Sequence, residues 1–307
     1  MSLVLEGHID LPEHKGDGGF DHAAVHRGLR QMYVAHTAND ALHIIDLETG
    51  RYFDSIDGLT GAAGALVAEG LDLVFTSNRG EDTVAIFDAR EPASLAKVAV
   101  GRRPNGLAFD SARRTLLVAN VGDPGDPTSH TLSIVDTDRA GLSGSIPVAG
   151  RTRWTVFHEE SDRFFVNIAD PPSIVVVEGA EPTRRSATID IAASGPHGLE
   201  VDEAGRLYCA CDAGRLLVLA PPSYEVAAEL PLAGSPDVIF LDPVRRYLYV
   251  AIGDPGLIEV FDVGQFEKVD AVATERGAHT IGLDPDRHRV YAFLPGTHRA
   301  AVFAAPE

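Results

Sequence analysis

The stretch MYVAHTANDALHIIDLETG, residues 32–50, contains two short apolar runs separated by Asn39 and Asp40 and followed by a turn at Gly50. Within the runs, residue character alternates with a period of two, which is typical of β-strands. Asn, Asp and Gly favour the tight turns that join antiparallel strands. The stretch therefore predicts the middle of a small antiparallel sheet.

Related segments recur along the chain at regular spacing. They read LHIID, VAIFD, LSIVD, IVVVE, LLVLA, IEVFD and AAVFA and end at Asp46, Asp88, Asp136, Glu178, Ala220, Asp262 and Ala304. Successive ends lie 42, 48, 42, 42, 42 and 42 residues apart, and the longer interval contains a Gly/Pro/Asp loop at residues 121–130. Four short strands in each unit of about 40 residues are typical of propeller blades. The sequence thus predicts an all-β, seven-bladed β-propeller of four-stranded antiparallel blades.

The two ends of the chain predict how the ring closes. The seventh unit ends with AAVFAAPE, residues 300–307, and lacks a fourth strand. The segment LVLEGHIDLP, residues 3–12, precedes the first unit and alternates as an outer strand does. We expect residues 3–12 to complete blade seven, because this pairing removes an exposed strand edge. Residues 1–307 are then one domain.

Composition excludes several classes of partner. A formal net charge of -19 disfavours nucleic acid and anionic membranes, whose binding requires clustered positive charge. No apolar run approaches the roughly 20 residues that span a bilayer. The N-terminus has neither the basic patch nor the apolar segment of an export signal, which predicts a cytoplasmic protein.

The repeats resemble a known family. RPNGLAFDSARRTLLVAN, residues 103–120, and SPDVIFLDPVRRYLYVAI, residues 235–252, resemble the YVTN-type propeller repeat, and GPHGLEVDEAGRLYCA, residues 195–210, resembles the related NHL-type repeat. The fourth unit departs most, because it lacks the Pro before its first strand and has Trp154 there. The resemblance implies a seven-bladed propeller. It leaves the function open, since such scaffolds include lactonases, lyases, redox carriers and interaction modules.

The first strand of each blade is expected to line the central channel. Alignment of the units places one residue of each at the same mouth, to within about one position, in the order His22, Gly64, Asn105, Trp154, His197, Asp237 and His279. Blades five, six, seven and one are neighbours in the ring. Imidazole and carboxylate are common ligands of zinc and similar ions. His22, His197, Asp237 and His279 are therefore candidate ligands of a divalent metal.

Other charged and aromatic residues map to the same face. His36, His298, His130 and His14 join the three channel histidines, so that seven of the twelve histidines are expected there. The opposite half of the face has five arginines, namely Arg79, Arg102, Arg103, Arg151 and Arg153. On an acidic chain, such a group is a candidate site for a carboxylate or phosphate ligand.

Two functions follow from this His/Arg-rich face. One is a ligand-binding or scaffold module for a small anionic molecule or a protein partner, using the five arginines with Asn105, Trp154, His36 and His298. The other is a metal-dependent lyase or hydrolase, similar to a lactonase, at the channel mouth. Trp154 is interpreted either as a channel plug or as a stacking platform. The histidines are equally interpretable as turn residues, and the chain has no G-x-S-x-G, phosphate-cradling loop or H-E-x-x-H motif.

Overall fold

The computed structural model describes residues 2–305 and confirms the predicted propeller. These residues form seven four-stranded antiparallel sheets arranged in a ring. All seven predicted end points, from Asp46 to Ala304, are the last residues of the third strands. Met1, Pro306 and Glu307 lie outside the described residues, so the extent of the domain over residues 1–307 stays a prediction.

The strands fall into four classes by distance from the central axis. The innermost strands are β2 (Phe20–His26), β6 (Ala62–Ala68), β10 (Pro104–Asp110), β14 (Thr152–His158), β18 (Pro196–Val201), β22 (Pro236–Asp242) and β26 (Thr280–Asp284). The second strands are β3 (Gln31–His36), β7 (Leu73–Asn78), β11 (Thr115–Asn120), β15 (Arg163–Ile168), β19 (Leu207–Cys211), β23 (Tyr247–Ile252) and β27 (Arg289–Leu294).

The third strands are β4 (Ala41–Asp46), β8 (Thr83–Asp88), β12 (Thr131–Asp136), β16 (Ser173–Glu178), β20 (Arg215–Ala220), β24 (Leu257–Asp262) and β28 (Arg299–Ala304). The outermost strands are β5 (Arg51–Asp57), β9 (Glu91–Ala99), β13 (Gly141–Pro147), β17 (Arg185–Asp190), β21 (Glu225–Pro231), β25 (Glu267–Ala273) and β1 (Val4–Asp10). Within residues 2–305, three short 3₁₀ helices lie in the connections between strands, at Thr37–Asn39, Glu69–Leu71 and Pro127–Ser129. None of the helices in residues 2–305 has the length and apolar character needed to cross a membrane.

Burial explains the strand pattern. Second strands such as β11 are buried at nearly every residue because both faces of the sheet pack against neighbouring blades, whereas outer strands such as β5 are mostly exposed. The core therefore lies between blades. One cluster joins Tyr208 and Val218 of blade five to Leu248 and Phe261 of blade six.

The N-terminal strand closes the ring as predicted. β1 pairs antiparallel with β28, from Val4 opposite Ala304 to Asp10 opposite Arg299. Ile9 and Leu11 are buried in a cluster shared by blades seven and one. In the same seam, the Thr280 hydroxyl donates to the carbonyl of Phe20. The termini are therefore joined through both backbone pairing and core packing.

The inner strands approach each other closely around the channel. A Cβ atom added at Gly106 of β10 would lie 2.5 Å from the carbonyl oxygen of Arg153 on β14. Real Cβ contacts are not that short, so glycine is needed at this position. The close approach sets the channel diameter and brings side chains from several blades together at its mouth.

Candidate functional site

Strand pairing defines the ring of residues at one mouth of the channel. Phe20, Ala62, Pro104, Thr152, Pro196 and Pro236 all pair with the last residue of the second strand of their blade. The residues that follow them, together with His279 of blade seven, form what we call the mouth ring. Its members are Asp21, Ala63, Asn105, Arg153, His197, Asp237 and His279.

In three blades the mouth-ring residue is the one just before the predicted residue, which is within the tolerance of the alignment. Asp21, Ala63 and Arg153 occupy the places expected for His22, Gly64 and Trp154. His22 and Trp154 lie one residue further along the channel, where their rings contact each other with centroids 4.1 Å apart. The plug interpretation of Trp154 matches this placement.

His197 is the centre of an ion-pair network in the mouth ring. Its Nδ1 lies 2.9 Å from Oδ1 of Asp212, and its Nε2 lies 3.1 Å from Oδ1 of Asp237. Asp212 comes from the turn after β19, and the hydroxyl of Ser235 also donates to it over 2.8 Å. Nε2 of His279 lies 3.9 Å from Oδ2 of Asp237. Two carboxylates thus flank one imidazole.

Electrostatics favours the protonated form of His197. Burial alone would lower the pKa of His197, but Asp237 and Asp212 outweigh burial and raise it to about 9. Burial would raise the pKa of Asp237, but His197, with smaller contributions from His279 and His22, lowers it well below its usual range. The imidazolium and its carboxylates are therefore charged at neutral pH.

The contact of His197 with Arg153 depends on protonation. Nη1 of Arg153 lies 2.9 Å from Nε2 of His197, a contact in which the guanidinium can donate only if Nε2 has no proton. The contact with Asp237 requires the opposite, an Nε2–H donor. Because the pKa of His197 is raised to about 9, the Asp237 contact prevails at neutral pH.

The four candidate metal ligands do not share one point. His197, Asp237 and His279 lie together, but His22 contacts Trp154 and lies 3.4 Å, through Nε2, from Oδ1 of Asp21. In the described part of the chain, no group of three or more His, Cys, Asp or Glu side chains has the arrangement of a metal site. The geometry is that of an ion-pair network, and divalent metal binding stays a prediction.

Four of the five predicted arginines lie together at the mouth. We call Arg79, Arg103, Arg151 and Arg153 the mouth arginine cluster. Burial and then repulsion from the other three members lower the pKa of Arg151 below its usual value. Arg102 does not take part, because its exposed guanidinium pairs with Asp82 and Asp123.

Part of the hydrogen-bonding capacity of the mouth arginine cluster is unused. Nη2 of Arg79 lies 3.3 Å from Asp21, and Nη2 of Arg153 lies 3.4 Å from Asp212. The buried Nε atoms of both residues have no acceptor among residues 2–305. Within the same range, the guanidinium groups of Arg103 and Arg151 contact no carboxylate at ion-pair distance. Free donors on converging cations are what an anionic ligand requires.

Asn105, which sequence analysis predicted to bind ligand together with the arginines, lies in the mouth ring. It occupies the ring next to Arg153, with Ala63 on its other side. Its carbonyl oxygen Oδ1 is buried and has no donor in the described residues. Because it is an acceptor, it can orient a ligand hydroxyl or amide.

His36 and His298 belong to a separate aromatic group with His14. The ring centroid of His14 lies 4.7 Å from that of His36 and 4.4 Å from that of His298. Nδ1 of His36 lies 2.5 Å from Nε2 of His43. Burial, aided by His43, lowers the pKa of His36 to about 3. His36 is therefore neutral at neutral pH and adds no charge to the face.

Sequence reasoning missed Asp21, Asp212 and Ser235 at the mouth. Asp212 lies in the turn CDAGR, where an Asp is most simply interpreted as a turn residue. His130, which was expected at this face, bonds locally in the structure, because its Nδ1–H donates to the carbonyl of Val121 over 2.6 Å. Strand pairing in the structure places Asp21 at the position equivalent to His197.

Comparison with known proteins identifies the fold and nothing finer. No family model matches the chain, and no curated protein matches its sequence. A chain of the Kuenenia stuttgartiensis hydrazine synthase is similar in structure, with a TM-score of 0.83, 16% identity and coverage of 96% of both chains. A chain in the crystal structure of the mitotic checkpoint complex is similar too, with a TM-score of 0.83, 11% identity and coverage of 99% of this chain and 92% of that one. At such identities the likeness shows a propeller, and a propeller can serve many functions.

Proposed function

We propose that this protein is a ligand-binding propeller whose mouth arginine cluster binds a small anionic molecule with carboxylate or phosphate groups. The repeat resemblance adds the proposal that the chain is of YVTN type, a family that includes binding modules. One observation supports the proposal above the others. Arg103 and Arg151 have no carboxylate partner in the described residues, although they lie beside Arg79 and Arg153 on a chain of net charge -19.

Electrostatics explains why such a group needs a ligand. Four guanidinium groups at close range repel one another, and burial together with this repulsion lowers the pKa of Arg151. An anion that contacts several of them relieves the repulsion and accepts hydrogen bonds from donors that now lack acceptors. Planar guanidinium groups bind carboxylate and phosphate in two-point contacts. A ligand with two or three such groups therefore fits best.

The His197 network provides the opposite wall of the site. Asp212 and Asp237 hold His197 in its protonated form, and Arg153, a member of the mouth arginine cluster, contacts Asp212. Any ligand anion at the mouth would meet Asp237 on this side, which limits where its charge can lie. No observation favours a metal-dependent lyase or hydrolase over binding, so binding is the function that we propose.

A ligand screen tests the proposal. Succinate, citrate and inorganic phosphate are added to the protein at about 20 mM and about 200 mM NaCl, with glycerol as an uncharged control, and the melting temperature is measured. We expect citrate to raise the melting temperature most at low salt, and the effect to shrink at high salt. No shift with any of the three anions at low salt would contradict the proposal.

A further inference from the structure

The channel contains a large cavity on the far side of the His22–Trp154 contact. Its volume is about 800 Å³, and it extends from His22 and Trp154 to the turns that carry Glu69, Ser111 and Glu159. None of the mouth-ring residues lines it. A cavity of this size is in the range of small-molecule sites. It lies at the opposite end of the channel from the mouth arginine cluster.

Glu200 is exceptional in the wall of this cavity. Strand pairing places it opposite Tyr208, three residues before the end of β19, and places six other inner-strand residues opposite the residue at the same distance from the end of their second strands. Those six equivalent residues are Ala24, Leu66, Ala108, Val156, Phe240 and Gly282. Five of the six are apolar side chains and one is glycine. A charged residue here is therefore not a requirement of the blade.

The charges around the cavity have one sign. Apart from His22, its ionisable lining residues are Glu69, Glu159 and Glu200, with no Lys or Arg among them. Glu69 is already paired with Arg27. In residues 2–305, Glu200 forms no ion pair. Arg206 lines a neighbouring pocket together with Glu200, but its guanidinium pairs with Asp202. Burial raises the pKa of Glu200 to about 8, although the backbone N–H groups of Val201 and Leu241 favour its carboxylate form.

The rest of the wall is apolar and aromatic. Trp154, Phe109, Phe157 and Phe240 line the cavity together with Ala, Val and Leu side chains. Aromatic faces attract organic cations through their quadrupoles, and this attraction underlies the recognition of alkylated ammonium groups. A carboxyl group in such surroundings retains its proton unless a nearby cation stabilises its ionised form. The lining thus suits a molecule with an apolar body and one positive charge.

We propose that this cavity binds an organic ammonium ion with an apolar body, and that Glu200 is its counter-ion. The alkyl or aryl body contacts the apolar wall, and the ammonium group lies at the Glu200 carboxylate beside Trp154 and Phe240. Binding displaces water from apolar surface, and the ammonium charge stabilises the ionised form of Glu200, which burial otherwise disfavours. This site is separate from the anion site and does not depend on it.

Intrinsic fluorescence can measure this binding, because Trp154 is the single tryptophan of the chain and lines the cavity. The probes are benzyltrimethylammonium, whose charge does not change with pH, benzyl alcohol as a neutral analogue and phenylacetate as an anionic one. We expect a saturable change with the ammonium probe, at least about tenfold tighter binding than with benzyl alcohol, and no binding of phenylacetate.

Two variants test whether Glu200 is the counter-ion of the ammonium probe. Glu200→Gln keeps the size of the side chain and should abolish the preference for the ammonium probe over benzyl alcohol. Glu203→Gln, in the exposed turn that follows, should retain it. If Glu200→Gln fails to fold, the comparison of the three probes on the unmodified protein still tests the proposed preference for a cation. Equal binding of the charged and neutral probes, no saturable binding, or an unchanged preference in Glu200→Gln would each overturn the proposal.

Discussion

The ring of His22 lies against that of Trp154 in the central channel, with centroids 4.1 Å apart and planes inclined by 46°. The two residues come from blades one and four and meet across the channel. On one side of their contact lies the mouth ring, and on the other lies the apolar cavity. The contact therefore separates the end proposed to bind an anion from the end proposed to bind an organic cation.

Removing the His22 ring should expose Trp154 to the end of the channel that contains the mouth arginine cluster. In His22→Ala we expect iodide to quench Trp154 fluorescence more strongly than in the unmodified protein, because the mouth arginine cluster attracts the anion and the imidazole no longer covers the indole. His8→Ala, on an exposed position of β1, is the matched control and should change nothing. Equal iodide quenching in both variants would show that the two compartments are not separated by His22.

The ring closure predicts that alanine substitutions in β1 lower the free energy of unfolding by unequal amounts. Ile9 is 5% exposed in the seam between blades seven and one, whereas Val4 on the same strand is 58% exposed. We expect Ile9→Ala to lower the free energy of unfolding by about 2–5 kcal/mol and Val4→Ala to change it by less than about 0.5 kcal/mol. Urea denaturation measures both values. A similar small effect of the two substitutions would mean that β1 adds little to the closed ring.

The His197 network predicts a pH dependence of stability. Folding raises the pKa of His197 from 6.5 to about 9, so the folded state binds its proton more tightly than the unfolded chain. This contribution is complete below pH 6.5 and is lost as the pH rises to about 9. His197→Gln should therefore remove part of the fall in stability over that range, by about 1 kcal/mol or more. Denaturation profiles measured across this range would contradict the account if they ran parallel for the variant and the unmodified protein.

The repeat spacing was enough to predict the blades and the closure, because each unit must bury its two sheet faces against neighbours of the same length. The register at the channel mouth was predictable only in part. In blades three, five and six a Pro begins the inner strand and fixes the position of Asn105, His197 and Asp237. In blades one and four Phe20 and Thr152 replace that Pro, so nothing in the sequence distinguished Asp21 from His22 or Arg153 from Trp154.

Side-chain contacts between blades could not be predicted from the sequence. Arg102 and Arg103 are adjacent, yet Arg102 pairs with Asp82 and Asp123 while Arg103 joins the mouth arginine cluster. That division depends on the backbone of Arg103, which has a positive φ of 53° and donates its N–H to Asp82. Glu200, in contrast, could have been found by alignment of the inner strands, since the other blades have uncharged residues there.

The most direct test of the proposed function is a calorimetric titration of citrate into three proteins at low salt. Arg103→Gln combined with Arg151→Gln should weaken citrate binding at least about tenfold, because each lost charged hydrogen bond contributes about 1.5–3 kcal/mol. Arg102→Gln, the neighbouring arginine that has its own carboxylate partners, should bind citrate as the unmodified protein does. Equal affinity of all three proteins for citrate, or a loss in Arg102→Gln alone, would contradict an anion site at the mouth arginine cluster.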